Sequence, residues 1–271
     1  NAPLAGVIFA HEAILRHFSL RAIAPIFIAS ISASAFDEYF FGTAGNMFEL
    51  SQAVPPLNDI LPIFIFLSPI FAITAVIFMY SLRSASIFAA KSGRYKPLLP
   101  FIAAFTCGSV GIFLPEILGL GVETINELIS GNISYGKVSL LLIAKITMTA
   151  LCIGFGLFGG VFSPALFIGV SVGSLTAAIL YNFGISGAEQ VVIISGMAAV
   201  GASVIGAPIA SVLIVLELTG SYEFAIAAMV AVIISNLITY RIFGLSFFDR
   251  QLLDRGIDMR LGRESIALSQ R

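Results

Sequence analysis

Ala2-Pro3-Leu4-Ala5-Gly6-Val7-Ile8-Phe9-Ala10-His11-Glu12 returns, 205 residues later, as Ala207-Pro208-Ile209-Ala210-Ser211-Val212-Leu213-Ile214-Val215-Leu216-Glu217. Both copies read Ala-Pro, a second Ala two residues on, an apolar run and a Glu nine residues after the proline. A recurrence of this length in an apolar chain predicts two structurally related halves, a frequent construction among membrane transport proteins. The first copy starts at residue 1, so Asn1 reads as an interior residue of a longer protein.

The chain around the repeat is apolar throughout. Hydrophobic residues make up 58% and charged residues 11% of it, with a mean hydropathy of +1.03. A soluble domain carries about 25% charged residues, so this chain lacks the polar surface to coat itself. The runs at 22–36, 61–80, 138–158, 163–181 and 224–243 read as membrane-crossing helices, for which about 20 apolar residues are needed. The short alternating segments of a transmembrane barrel are absent. The fold class is therefore an all-α integral membrane protein. Cys107 and Cys152 lie in apolar segments and read as small buried hydrophobes rather than a disulfide. The first residues have neither the basic region nor the cleavage site of a signal peptide.

Charge distribution gives the topology. Basic residues cluster at Arg16 and Arg21, at Arg83, Lys91, Arg94 and Lys96, and from Arg241 to Arg271. Cytoplasmic loops favour Lys and Arg, which places these clusters and the C-terminus inside. Residues 37–59 carry Asp37, Glu38, Glu49 and Asp59 without a base and fit the outer face. The first copy of the repeat runs into Arg16, His17 and Arg21, the second into Glu223 with no base nearby. The two copies are thus expected to lie antiparallel in the membrane.

Helices are predicted over 3–15, 20–36, 61–90, 98–114, 137–156, 163–181, 189–204, 208–219 and 223–243. A polar outer loop runs to about residue 60, and a short amphipathic helix lies within 119–131. Several helices are shorter than a span and are broken by Gly or Pro. Broken helices are tolerated in a bilayer where their freed backbone groups face protein or a water-filled cavity, so an internal polar route is expected. Tight packing through glycine explains the same composition.

The sharpest local signal is Gly159-Gly160-Val161-Phe162-Ser163-Pro164, between two apolar helices. The glycines expose the backbone, and Pro164 suits the first turn of the following helix. N–H groups at that turn have no intrahelical partner and point along the positive end of the helix dipole. They form an anion site without a basic side chain. A hinge or a packing turn is the competing reading of the same residues.

Four motifs extend this signal: Asn1-Ala2-Pro3-Leu4-Ala5-Gly6; Gly160-Val161-Phe162-Ser163-Pro164; Gly206-Ala207-Pro208 with Leu216-Glu217-Leu218-Thr219; and Ser246-Phe247-Phe248-Asp249. In order and spacing they resemble the CLC family of chloride channels and chloride/proton antiporters. The resemblance covers about residues 1–256 as a partial CLC-type transmembrane domain, an inverted-repeat bundle of tilted and broken helices. The end of its first half is 1–36, the second half about 61–256, and 257–271 a cytoplasmic linker. It implies chloride or another small anion as the transported ligand, no cofactor, and a homodimer in the cell (inner) membrane through residues 3–36 and 208–243. It also implies that Gly160 and the N–H groups of Val161 and Phe162 bind the central anion.

Departures from the family pattern matter as much. Relatives point a Tyr hydroxyl at the ion where this chain has Phe248. The antiporters carry an internal proton glutamate where this chain has Ala13, directly after Glu12. Residues 154–158, Gly-Phe-Gly-Leu-Phe, replace a small, serine-containing run and make the approach more apolar. The motifs bearing the external gating glutamate and the serine loop are expected upstream of residue 1.

Glu12 and Glu217 occupy equivalent repeat positions and read as structural carboxylates. Lys145 either attracts anions, snorkels to the interface or pairs with a carboxylate such as Glu116. Glu116, Glu123 and Glu127 are expected to line an outer surface. His11 and His17, six apart and without a ligand set around them, are not expected to hold a metal. No catalytic set is present, so an enzyme is not expected, nor a nucleic-acid partner. The expected function is anion transport, channel-like or weakly proton-coupled, with a chloride/proton antiporter using another internal proton donor as the alternative.

Overall fold

The computed structural model describes residues 2–42, 50, 55–254 and 256 of the chain. Its regular elements, among the described residues, are all helical. The proline of each repeat starts a helix: α1 spans Pro3–Phe9 and α9 spans Pro208–Thr219. Between them run α2 (Leu20–Phe41), α3 (Leu57–Lys91), α4 (Leu99–Phe113), α5 (Val122–Ile129), α6 (Tyr135–Gly154), α7 (Phe162–Asn182) and α8 (Glu189–Ile205). After α9 come α10 (Tyr222–Phe243) and α11 (Phe247–Asp254). Among the described residues, six helical segments are long and apolar enough to cross a membrane.

Most expected boundaries fall within a few residues of these, and the exceptions have identifiable causes. The helix expected over 20–36 continues to Phe41 and ends at Gly42, whose φ of 64° reverses the chain. Asp37 and Glu38 therefore belong to α2 and not to the outer loop. The helix expected from 61 starts at Leu57, with Pro62 and Pro69 both inside it. The helix expected over 3–15 changes character: after Phe9 the chain widens into a π-helix over Ala10–Leu15. The segment expected as a linker over 257–271 lies outside the described residues, as does Glu49.

The core is built on α8. Every residue from Gln190 to Ile205 is buried, so a helix only long enough for part of a span is enclosed by its neighbours. Glycine brings α7 against it at backbone distance. A Cβ on Gly169 would lie 2.6 Å from the carbonyl oxygen of Gly196, and one on Gly196 would lie 2.8 Å from that of Gly169. Close helix packing through glycine, one of the two readings of the composition, is therefore present. The opposite extreme is α2, which buries no residue and exposes Ile28, Phe36 and Phe40.

The repeat is reproduced in geometry. Ala2 and Ala207 cap their helices with φ/ψ of −137°/68° and −129°/70°. Their carbonyls accept matching bonds from Gly6 (2.9 Å) and Ser211 (3.1 Å). Each copy then uses its glutamate on the other. Glu217 accepts from the N–H groups of Leu4 (2.9 Å) and Ala5 (2.7 Å), and Glu12 from those of Ile209 (3.1 Å) and Ala210 (2.8 Å). These are first-turn N–H groups, which lack intrahelical partners and sit at the positive end of each dipole. A carboxylate at the end of one helix can reach the start of its mate only if the two lie antiparallel. The inverted arrangement read from flanking charge is thus explicit.

After the glutamates the copies part by one residue. Gly220 ends α9 at φ/ψ 63°/13°, and Arg16 takes the equivalent place after the first copy at 60°/12°. Arg16 is the one non-glycine with positive φ among the described residues. Glu12 keeps the offset of 205 while Arg16 matches Gly220 at 204. The π-helix absorbs the extra residue, as such single-turn expansions do. Ser19 and Ser221, both extended, then lead into α2 and α10.

Glu12→Gln and Glu217→Gln each replace a two-oxygen acceptor with a neutral side chain that has only one. Each is expected to lower stability by about 1–3 kcal/mol, read as a lower thermal midpoint in detergent. Because the contacts are equivalent, the two losses should be alike.

Candidate functional site

The loop between α6 and α7 is shaped by its glycines. Gly154 is the last residue of α6, and Gly156 turns the chain at a φ of 97°. Phe158, Gly159 and Gly160 are exposed, whereas Val161 is buried. A Cβ added at Gly160 would meet nothing within 4 Å, so the backbone there borders open space. Val161 is the N-cap of α7 and Phe162 its first residue. The helix therefore starts two residues before Pro164, which sits inside the first turn rather than opening it. The N–H groups of Val161, Phe162 and Ser163 would need acceptors upstream of the helix, and Pro164 has no N–H. No acidic side chain occupies the first turn. This end carries partial positive charge without a competing carboxylate among the described residues, unlike α1 and α9, whose ends are already filled by Glu217 and Glu12.

Neighbouring elements fix this helix end in place. Phe9, from the first copy of the repeat, packs its ring 5.3 Å from that of Phe162. Ser163 donates its hydroxyl to the Leu120 carbonyl at 3.0 Å. Lys145 secures the same segment from α6: its Nζ donates to the carbonyls of Ile117 (2.8 Å) and Gly119 (3.2 Å) and lies 4.7 Å from the Phe167 ring centroid. Gly121 closes the segment at a φ of 72°, where a Cβ would come within 2.7 Å of the Phe167 ring. Lys145 is 2% exposed, so it does not snorkel, and it does not pair with Glu116. Glu116 is taken by Lys137, and that ammonium, hydrogen bonded to it, holds the Glu116 carboxyl below the usual carboxylate range.

The remaining candidate residues come from other elements. Phe248 is on α11, half-buried, with its ring edge-on to Phe247 at 5.5 Å. The start of α11 is held by Ser246, whose hydroxyl bonds Asp249 at 2.9 Å, and by Arg16, which donates to Asp249 (3.0 Å) and Ser246 (3.3 Å). Phe247, together with Arg83, Lys96, Arg250 and Asp254, lines a cavity of about 520 Å³. Ala13 lies in the π-helix and is half-buried. Sequence reasoning did not find Phe9, Leu120 or the strapping role of Lys145. Gly121 was a signal that the segment runs close to another element, but nothing marked which one.

Residues 1–240 match the family model of the voltage gated chloride channel. The chain is 31% identical over 250 residues to the H(+)/Cl(-) exchange transporter ClcA of Yersinia pestis bv. Antiqua (strain Angola), covering 88% of this chain and 51% of that protein. It is 29% identical over 270 residues to ClcA of Vibrio parahaemolyticus serotype O3:K6, covering 94% and 56%. The chain thus spans about half the length of these curated relatives. Among solved structures it resembles a slow cyanobacterial Cl-/H+ antiporter, with a TM-score of 0.81 at 23% identity, covering 94% of this chain and 61% of that one. It also resembles a CLC-type fluoride/proton antiporter, with a TM-score of 0.69 at 22% identity, covering 89% and 58%.

Two outcomes test the packing around the helix end. Lys145→Met should speed backbone hydrogen exchange across residues 117–121, since two carbonyls lose their ammonium donor. Glu116 is stabilising above the range where it protonates in the unfolded chain, and that contribution is lost as pH falls through its lowered folded value. Lys137→Gln should move the Glu116 titration, followed by carboxyl NMR, back up.

Proposed function

Because the chain belongs to the voltage gated chloride channel family, we propose that it transports chloride or a similar small anion across the membrane. In this reading Gly160 and the N–H groups of Val161 and Phe162 hold the ion at the start of α7, and Phe248 stands near it as an apolar wall. The observation that carries the reading is an unfilled helix N-terminus, with no acidic side chain in its first turn, beside open space at Gly160. Its magnitude suits permeation. Two hydrogen bonds to an anion contribute about 1.5–3 kcal/mol each, and a helix end up to about 2 kcal/mol. Set against ion dehydration, this leaves weak and reversible binding, whereas a buried cation would trap the ion. The Arg83, Lys96 and Arg250 side chains share the 520 Å³ cavity with Asp254, which pairs with Arg83 and Arg250.

Transport is channel-like or weakly proton-coupled, since Ala13 cannot carry a proton. A chloride/proton antiporter with a different internal proton donor is the second reading. It is favoured by the relatives named as H(+)/Cl(-) exchange transporters. We infer a homodimer that meets through residues 3–36 and 208–243, where α2 leaves Ile28 and Phe36 exposed. The apolar spans support an integral membrane protein, and we infer that it lies in the cell (inner) membrane with the basic loops and C-terminus on the cytoplasmic side.

The full-length protein carrying this chain, reconstituted in liposomes, should release chloride down its gradient. Gly160→Leu should weaken anion binding by at least about tenfold, the loss of roughly one such hydrogen bond. Unchanged binding would sink the site.

A further inference from the structure

A second cavity, of about 380 Å³, lies between α10 and the junction of α8 with α9. Pro208 and Leu237 belong to its apolar wall, and Ser203, Asn236, Thr239 and Ser246 bring polar groups to it. That size, with a few polar groups in an apolar lining, suits a small amphipathic ligand. The Ser203 hydroxyl is satisfied by that of Ser235 at 3.0 Å, and that of Ser246 by Asp249 and Arg16. The other two groups are not satisfied. Asn236 Nδ2 and Thr239 Oγ1 are both buried and have no hydrogen-bond partner.

Thr239 is 3% exposed, and its isolation departs from the pattern of other helical threonines in the chain. Thr74, Thr106, Thr147 and Thr219 each donate to the carbonyl four residues back. The Ser235 carbonyl is the equivalent acceptor for Thr239, and the hydroxyl does not use it. An unpaired polar group is unfavourable in an apolar interior, and more so in a bilayer that water does not enter. An amide donor and a hydroxyl donor three residues apart are neighbours on a helix. Together they call for an uncharged acceptor at membrane depth.

The rest of α10 indicates which acceptor. The helix is 22 residues long, enough for one crossing, so its end stands at the edge of the hydrocarbon. There Tyr240 and Arg241 are exposed in succession, an aromatic and a basic residue as found at the headgroup level. Arg241 lies about 7.5 Å along the axis from Asn236, and it pairs with no carboxylate among the described residues. Ile233 and Leu237 are exposed deeper along the helix. From depth to surface the order is apolar contact, neutral donors, cation. An anionic phospholipid presents the complementary order: acyl chain, ester carbonyl, phosphate. We propose that this cleft binds one phospholipid of the surrounding bilayer, an ester carbonyl accepting from Asn236 and Thr239, an acyl chain along Ile233 and Leu237, and the phosphate on Arg241. The site is separate from the start of α7, whichever ion crosses there. It meets the transport machinery through Leu245 and Ser246, which line the cleft and lead into α11 with Phe248. A second copy of the chain is the competing occupant, since residues 208–243 are assigned to the dimer. Its helix face would cover the rim at Leu237 and Tyr240, whereas a single acyl chain with its ester is thin enough to pass the rim to the buried donors.

The test uses the full-length protein in mild detergent, titrated separately with dioleoylphosphatidylglycerol and dioleoylphosphatidylcholine. Native mass spectrometry counts bound lipid and subunits, and the thermal midpoint is followed in parallel. The wild type should retain one phosphatidylglycerol per chain and gain thermal stability from it. Asn236→Leu combined with Thr239→Val replaces two unpaired polar groups by apolar ones of similar shape, so the lipid-free midpoint should hold or rise. The same double variant should bind phosphatidylglycerol at least about tenfold more weakly, the scale of two lost hydrogen bonds. Arg241→Gln should remove the preference for phosphatidylglycerol over phosphatidylcholine. A wild type that retains neither lipid, or a double variant that binds phosphatidylglycerol as the wild type does, overturns the site. A fall in the lipid-free midpoint of the double variant also overturns it, because the two groups would then be bonded within the protein. If the double variant turns dimers into monomers at unchanged lipid affinity, the cleft belongs to the second copy and the lipid assignment fails.

Discussion

The structure depends on two carboxylates exchanged between two helices. A helix that begins inside a membrane protein leaves first-turn N–H groups that water cannot satisfy. Here α1 and α9 each solve this with the glutamate at the end of the other, Glu217 on Leu4 and Ala5, and Glu12 on Ile209 and Ala210. The spacing of nine residues from proline to glutamate sets a helix length at which both ends can be closed at once. It also forces the pair to be antiparallel. Two helices too short to span the bilayer are thereby held to each other at both ends.

That unit reaches the candidate ion site through Phe9, which presses on Phe162 at the start of α7. The contrast between helix ends is informative. Those of α1 and α9 are neutralised by carboxylates from within the chain, while that of α7, bordered by two glycines, has no acidic side chain in its first turn. One physical feature, a positive helix end in a low-dielectric interior, is used in two ways: filled, it locks the repeat, and open, it can receive an anion from outside the protein. Arg16, with its left-handed backbone, links the same repeat to α11 and so to Phe248 through its bonds to Asp249 and Ser246.

Much of this was legible in the residues. Proline positions marked the starts of α1 and α9, apolar runs marked the long helices, and flanking charge gave the antiparallel sense of the repeat. What was not legible depended on partners far away in the chain. Glu12 and Glu217 could be recognised as equivalent and structural, but their reciprocal use requires both helices in place. Lys145 offered a charge in an apolar helix with several plausible partners, and its actual acceptors are backbone carbonyls, which carry no sequence signature. The π-turn at Ala10–Leu15 is a one-residue misfit between the copies, visible only once Arg16 is seen to match Gly220 in conformation.

The central claim is that the open end of α7 holds the anion through backbone N–H groups. Bromide is a close substitute for chloride and scatters X-rays anomalously, so crystals of the full-length protein grown with bromide locate the ion directly. The account predicts an anomalous peak within about 3.5 Å of the Val161 and Phe162 nitrogens, a distance set by N–H donors to a large anion. Bromide peaks found only at basic side chains, with none at the start of α7, would contradict it.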